Sequence, residues 1–541
     1  MTSPKIPDYD AIVVGAGFSG IRSLWELGQL GLTAKCFEAG SDVGGAWYWN
    51  RYPGARTDSE AWVYVMNFAP GLGDVWNYSE RYPTQQEVQR YLGSVVDRFN
   101  LRKKIDFDTR IKAAHYSDSE NIWTISTAAG LSTTCRYFLA ASGPLSIAKT
   151  PPFAGLKSYT GEWYQTSNWP THPVDFHGKR VAIIGTGATG VQIIPKLAHV
   201  AKELTVFQRT PNYVLPGRNY IIDENEAAEI KQDYDATWHR ASTHTSGLKM
   251  TKPGRTVQSV ADPDKIKQIF DAGWETGGFH FQFETFDELF TNQEANNIAS
   301  AYVRQKISAI VQDPDTARIL SPKHPFLSKR PPCGHFYYEA FNRPNVKLVD
   351  ISRDDIDLYE KGIRTSSGNE YEFDIIIFAL GFDAATGALD EIDVKGSQDK
   401  SLKDFWGKKL ETFAGVLVPG FPNMFLVCGP HIPFGNMPVV LEIGVNWIGK
   451  TLRHMEKNKL AKIDVSETAW MPGRLTSPGN SGPRYLRNLL LQRAHAWTAW
   501  LEKEINTSWA SMVFPPLADT DKAGEYIRTD SQSQTAIKSA A

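Results

Sequence analysis

One glycine signature occurs twice in this chain, and that repetition limits its fold more than any other feature. Near the N-terminus the apolar run Tyr9 to Val14 enters Gly15-Ala16-Gly17-Phe18-Ser19-Gly20, and Ile21 to Leu30 follows with helical spacing. Farther on, Lys179 to Ile184 enters Gly185-Thr186-Gly187-Ala188-Thr189-Gly190, and a helical stretch runs to about Leu197. Strand, GxGxxG turn and helix form the opening of a dinucleotide-binding βαβ unit. The first glycine permits the tight turn, the second lets backbone N–H groups approach a pyrophosphate, and the third lets the helix lie close on the strand. One match alone is weak. Two in the right context predict an α/β chain with two Rossmann-like dinucleotide-binding domains.

The strand ends that follow differ in charge. Thr33 to Phe37 ends at Glu38, 23 residues after Gly15. A carboxylate there accepts hydrogen bonds from ribose hydroxyls and repels a 2′-phosphate, which favours FAD or NAD. Leu204 to Phe207 ends at Gln208, 23 residues after Gly185, and Arg209 and Thr210 follow. A neutral amide with an arginine beside it suits a 2′-phosphate, which guanidinium binds through two hydrogen bonds. The first domain is therefore expected to hold FAD and the second NADPH, with hydride passing from nicotinamide to flavin.

Composition removes several other functions. Across 541 residues the net charge is −2, which gives no electrostatic case for nucleic acid or a membrane surface. No apolar run approaches the length of a membrane span. Met1 to Asp10 lacks the apolar core of a signal peptide. The four cysteines, Cys36, Cys135, Cys333 and Cys428, lie far apart, so no redox-active CxxC pair or zinc ribbon is encoded. The histidines show no metal-ligand spacing, and no metal is expected. The expectation is a cytoplasmic enzyme, a monomer or weak homo-oligomer, acting on a small molecule.

Residues 44–58 form the most unusual stretch: Gly44-Gly45-Ala46-Trp47-Tyr48-Trp49-Asn50-Arg51-Tyr52-Pro53-Gly54-Ala55-Arg56-Thr57-Asp58. Bounded by Gly and Pro, it reads as a rigid loop, too irregular for a helix, whose rings wrap something flat. Aromatic-rich loops also plug cores.

This stretch resembles the N-terminal fingerprint of type I Baeyer–Villiger monooxygenases, through Gly44, Gly45, Trp47, Tyr52, Pro53, Gly54 and Asp58. Tyr159 to Pro170 resembles that family's second fingerprint, FxGxxxHxxxWP. Gly161, Trp169 and Pro170 fit it, while Tyr159 stands for Phe and Gln165 for His. Glutamine keeps hydrogen-bonding capacity but cannot take a charge, so Gln165 marks an altered linker. Lys329-Arg330 with Tyr337-Tyr338-Glu339 and Phe341-Asn342-Arg343 looks like the family's catalytic-arginine segment. Ala379 to Asp383 looks like its crossing back to the FAD domain. Gly420 to Asn423, Gly429-Pro430 and Asn436-Met437 look like its C-terminal flavin-contacting part, and Ser508-Trp509 is a faint match to its late tryptophan segment.

The resemblance implies conversion of a ketone to an ester or lactone by NADPH and O2 through a flavin C4a-peroxide. Arg330 would be the fixed catalytic cation and Asp58 its orienting carboxylate. FAD contacts would come from the first glycine turn, Glu38, Gly45, Ala46, Trp47, Tyr48, Trp49, Arg56, Asp58, Tyr64, Met437 and Trp509. NADPH contacts would come from the second turn, Arg209, Thr210, Lys329 and Arg330. The apolar Pro433-Phe434 region is a candidate pocket wall. The implied organisation is an FAD domain in 1–148 and 385–541 and an NADPH domain in 149–218 and 326–384, with a helical insertion at 219–325. Weighed alternatives are a flavin monooxygenase that oxidises nitrogen or sulfur and an uncoupled NADPH oxidase.

Overall fold

The computed structural model describes residues 6–408, 410–432 and 435–465, together with the strand Ile527–Asp530. Two sheets carry the two signatures. In the first, the strand Tyr9–Val14 lies between Ala34–Phe37 and Ser132–Ala140, parallel to both, with Val13 opposite Cys36 and Leu139. Among the described residues this sheet has eight strands, extended by Ile105–Asp106 on one side and by Ile122–Thr127, Ile111–Ser117 and Asp393–Lys395 on the other. Met424–Leu426 also pairs with Ser132–Ala140, so the C-terminal part of the chain returns to the first sheet. Ile12 and Val13 are fully buried, as expected of a parallel strand covered on both faces.

The second sheet has five parallel strands in the order Val346–Asp350, Glu203–Gln208, Arg180–Ile184, Ile375–Phe378, Glu162–Gln165. Both glycine turns take the same shape. Gly15 and Gly185 have φ of 102° and 114°, a region in which side chains are strained. A Cβ on Gly20 or Gly190 would fall 1.8 or 2.3 Å from the carbonyl oxygen of Gly15 or Gly185, so only glycine lets each helix start there.

Between the strands Glu203–Gln208 and Val346–Asp350 the chain forms the helices Glu224–Gln232, Tyr234–Thr243, Pro263–Thr276, Gln293–Ile310 and Pro314–Leu320. Asp223, Asp262, Asn292 and Asp313 cap four of these by accepting N–H bonds at their starts. Phe270, Phe281 and Tyr302 stack with centroids 5.2–5.7 Å apart and join Val181 and Ile183 of the second sheet, and Val191 of the helix Ala188–Leu197, in one core. The helices are thus fixed to that sheet.

Residues 44–58 differ from expectation in one respect. Ala46–Trp49 makes a single helical turn, held between Gly45 at φ 54° and the bend at Asn50. Two glycines allow the chain to turn sharply enough to enter it.

Candidate active site

The aromatic loop joins the two dinucleotide folds. At its start the Gly44 N–H donates to the Ala16 carbonyl (3.1 Å), and a Cβ on Gly45 would come within 2.9 Å of Gly17 Cα. At its end Tyr52 and Ala55 belong to the core of the second sheet, whereas Val43 and Ala61 belong to the core of the first. Trp47 donates through Nε1 to the Tyr64 hydroxyl (3.1 Å), and the Tyr64 ring meets Phe18 edge-on at 5.4 Å. Trp47, Tyr48 and Trp49 remain half-buried beside the first turn.

The described residues fit two dinucleotides. The helices Phe18–Gln29 and Ala188–Leu197 begin without a side-chain cap and without a carboxylate in the first turn, leaving N–H groups for an anion. A Cβ on Gly187 would meet nothing within 4 Å, so the second turn is open. Glu38, 4% exposed, accepts from the N–H groups of Ala16 (2.6 Å) and Gly40 (2.7 Å). Burial pushes its carboxyl up, against the pull of those N–H groups and of Arg110. This carboxylate braces the first turn.

At the second strand end Arg209 and Thr210 are exposed, and Thr186 Oγ1 donates to the Thr210 carbonyl (3.4 Å). Burial lowers the Lys329 ammonium, and the nearby Arg209 charge lowers it further. Two cations held together suit a dianion. Gln208 is only 1% exposed, and its amide donates to the Ile319 carbonyl (2.9 Å). Its contribution at the strand end is the absence of a carboxylate.

Between these two sites lies Arg330. Its guanidinium donates to the Asp58 carboxylate. Asn212 Nδ2, just past the second strand end, donates to the Arg330 carbonyl (3.0 Å). Burial disfavours the Arg330 charge, but Asp58 more than offsets this and holds the guanidinium above its ordinary value. The Arg330 side chain keeps 33% exposure against 11% for Asp58, so the carboxylate is the more enclosed member of the pair.

Other expected contacts fall in varied places. Ser19 lies against the Cys428 sulfur (3.6 Å), joining the first turn to the returning C-terminal part. Met437 opens the helix Met437–Asn458, whose preceding Asn436 donates to the Val63 carbonyl (2.6 Å) just past the loop. Arg56 pairs with Glu80 (3.0 Å), so its guanidinium already has a partner. Gln165 donates to the Lys149 carbonyl (2.8 Å), tying the strand Glu162–Gln165 to the linker before it. Trp509 and Pro433-Phe434 lie outside the described residues.

Sequence reasoning missed a charged cluster behind Asp58. Arg81 donates through Nε and Nη2 to Glu60 Oε1 (3.0 and 2.7 Å), and His280 Nε2 meets the same oxygen at 3.0 Å. His280 Nδ1 lies 2.7 Å from Glu284. These residues come from three distant segments, and no local pattern announces them.

Known proteins resemble this chain over most of its length. Residues 10–224 match a family model described as flavin-binding monooxygenase-like. The chain is 39% identical over 465 residues to a Baeyer–Villiger monooxygenase of Pseudooceanicola batsensis, covering 85% of each protein. It is 38% identical to a cyclohexanone 1,2-monooxygenase of Acinetobacter sp., again covering 85% of each. It is also 38% identical to a phenazine N-monooxygenase of Lysobacter antibioticus, covering 85% of this chain and 86% of that protein. A crystal structure of OTEMO in complex with FAD and NADP superimposes with a TM-score of 0.84 at 37% identity, covering 86% of this chain and 89% of that one.

Proposed function

The chain belongs to the Baeyer–Villiger monooxygenases, and we propose that it converts a small ketone to an ester or lactone with FAD, NADPH and O2. The observation that carries this reading is the Arg330–Asp58 pair at the seam of the two dinucleotide folds. A bound flavin would supply the hydride acceptor for NADPH and the centre for O2 activation. The remaining tasks fall to this chain. Arg330 presents a charge that cannot be lost to a base where negative charge develops on the attacked carbonyl. A cation about 4 Å from that charge contributes about 4 kcal/mol at an effective dielectric constant of about 20. Asp58 turns the guanidinium toward the site. The Trp47–Trp49 turn covers one side and limits water.

The second turn with Arg209, Thr210 and Lys329 is assigned to NADPH, and the first turn with Glu38, Gly45, Trp47 and Tyr64 to FAD. A cytoplasmic location fits the NADPH requirement and the four unpaired cysteines. No described helix is long and apolar enough to cross a membrane.

Purified enzyme with FAD and NADPH is expected to yield ester from members of a panel of linear, cyclic and aryl ketones. Hydrogen peroxide as the only product across the panel would overturn the reading. Because one relative is named for N-oxygenation, an aromatic N-heterocycle belongs in the same assay. Turnover of that compound alone, without any ester, would reassign the enzyme to nitrogen.

A further inference from the structure

The end of the aromatic loop meets the helix Ala188–Leu197 of the second glycine turn mainly at Gln192, two residues beyond Gly190. Alternate loop residues face it. The Tyr52 hydroxyl donates to Gln192 Oε1 (2.7 Å). At Gly54 a Cβ would fall 2.5 Å from the Gln192 carbonyl oxygen, so the loop backbone lies directly on the helix there. Gln192 Nε2 donates to the Arg56 carbonyl (3.0 Å), and the Arg56 N–H points back at Oε1 (3.5 Å). Nε2 also reaches Asp58 Oδ1 at 3.5 Å, on the opposite oxygen from the one that holds Arg330. Thr189 of the glycine turn interacts with the same Tyr52 hydroxyl. A turn at Pro53-Gly54, closed by the Ala55 N–H on the Tyr52 carbonyl (3.1 Å), folds the segment back so that Tyr52, Arg56 and Asp58 all reach the one amide.

Other groups do not substitute for this amide. Gln192 is 8% exposed, so water has little access to replace it. The Arg56 guanidinium is turned to Glu80. The Cys333 thiol meets only the Asp58 backbone carbonyl (3.7 Å). Arg330 alone would let the Asp58 carboxylate rotate about its Cβ–Cγ bond, whereas a second donor on the other oxygen restrains its plane.

We propose that Gln192 is a positioning residue for oxygen insertion: its amide fixes Asp58, and through Asp58 the direction of the Arg330 guanidinium. The proposal rests on the oxygenation role assigned above to the Asp58–Arg330 pair. It also makes the helix that begins at the NADPH turn a structural part of the oxygenating site, because the same helix carries Gln192.

Three variants of the flavin-loaded enzyme test this. Gln192→Met keeps length and packing but removes both hydrogen-bonding groups. Gln192→Glu keeps the acceptor for Tyr52 and sets a second carboxylate beside Asp58. Asp58→Asn reports the underlying pair. The readouts are anaerobic flavin reduction by NADPH, and ester formed per NADPH consumed in air. Both Gln192 variants are expected to reduce flavin within about threefold of wild type while ester per NADPH falls about fivefold or more. The double variant Gln192→Met/Asp58→Asn is expected to be no worse than Asp58→Asn, since both act through one carboxylate. Wild-type ester yield in Gln192→Met, or losses that add in the double variant, would overturn the proposal. Equal loss of flavin reduction and ester would also overturn it, as the mark of a purely structural role. If Gln192→Met fails to retain flavin, Gln192→Glu carries the same comparison. Full ester yield from Asp58→Asn would overturn the reading of the pair itself, and the positioning role with it.

Discussion

Arg209 and Lys329 come together from segments more than a hundred residues apart, and among the described residues no carboxylate forms an ion pair with either. Like charges left together disfavour folding unless an anion joins them, so a 2′-phosphate is the natural occupant. Arg209→Ala should raise the KM for NADPH relative to NADH by about tenfold, the lower end for one charged hydrogen bond at an exposed position. An unchanged NADPH to NADH ratio would contradict the assignment. Arg209 itself was legible in the sequence, because its place after the strand is fixed by spacing from Gly185. The direction of Gln208 was not, since its partner Ile319 lies in the insertion.

Among the elements, the aromatic loop has two anchorages. Its far end is held to Gln192, and just beyond Asp58 the His280 ring clasps Glu60 to the insertion. Burial alone would lower the His280 imidazole, but Glu284 and Glu60 more than offset this and hold it up at about 9. With the folded value above the unfolded one near 6.5, its contribution is fully present below pH 6.5 and is lost as pH rises through 9. Its upper limit is about 3 kcal/mol. The melting temperature of the wild type should therefore fall by a few degrees between pH 6.5 and 9.5, and His280→Gln should show a smaller fall. Equal falls in both proteins would contradict the clasp. The single helical turn at Ala46–Trp49 escaped sequence reasoning because four residues show no periodicity, and the glycines around it read as loop.

At the scale of the whole molecule, both glycine turns were legible because each is complete within thirty residues and its physics is local. A break in the strand rhythm was also legible, and the helices between the strands Glu203–Gln208 and Val346–Asp350 include the run from Glu224 to Leu320. What the sequence could not express is the meeting of the parts. Asp58, Gln192 and Arg330 are separated by 134 and 138 residues, and only the packing of the second sheet against the aromatic loop brings them together. The central claim is that Arg330 serves oxygen insertion and is not needed to deliver hydride. The measurement is a comparison of Arg330→Met with wild type, following anaerobic flavin reduction by NADPH and then ester yield from an accepted ketone in air. Reduction is expected within about threefold, while ester formation falls about a hundredfold or more, the loss typical of one missing charge stabiliser. Ester formation at the wild-type rate in Arg330→Met would contradict the account.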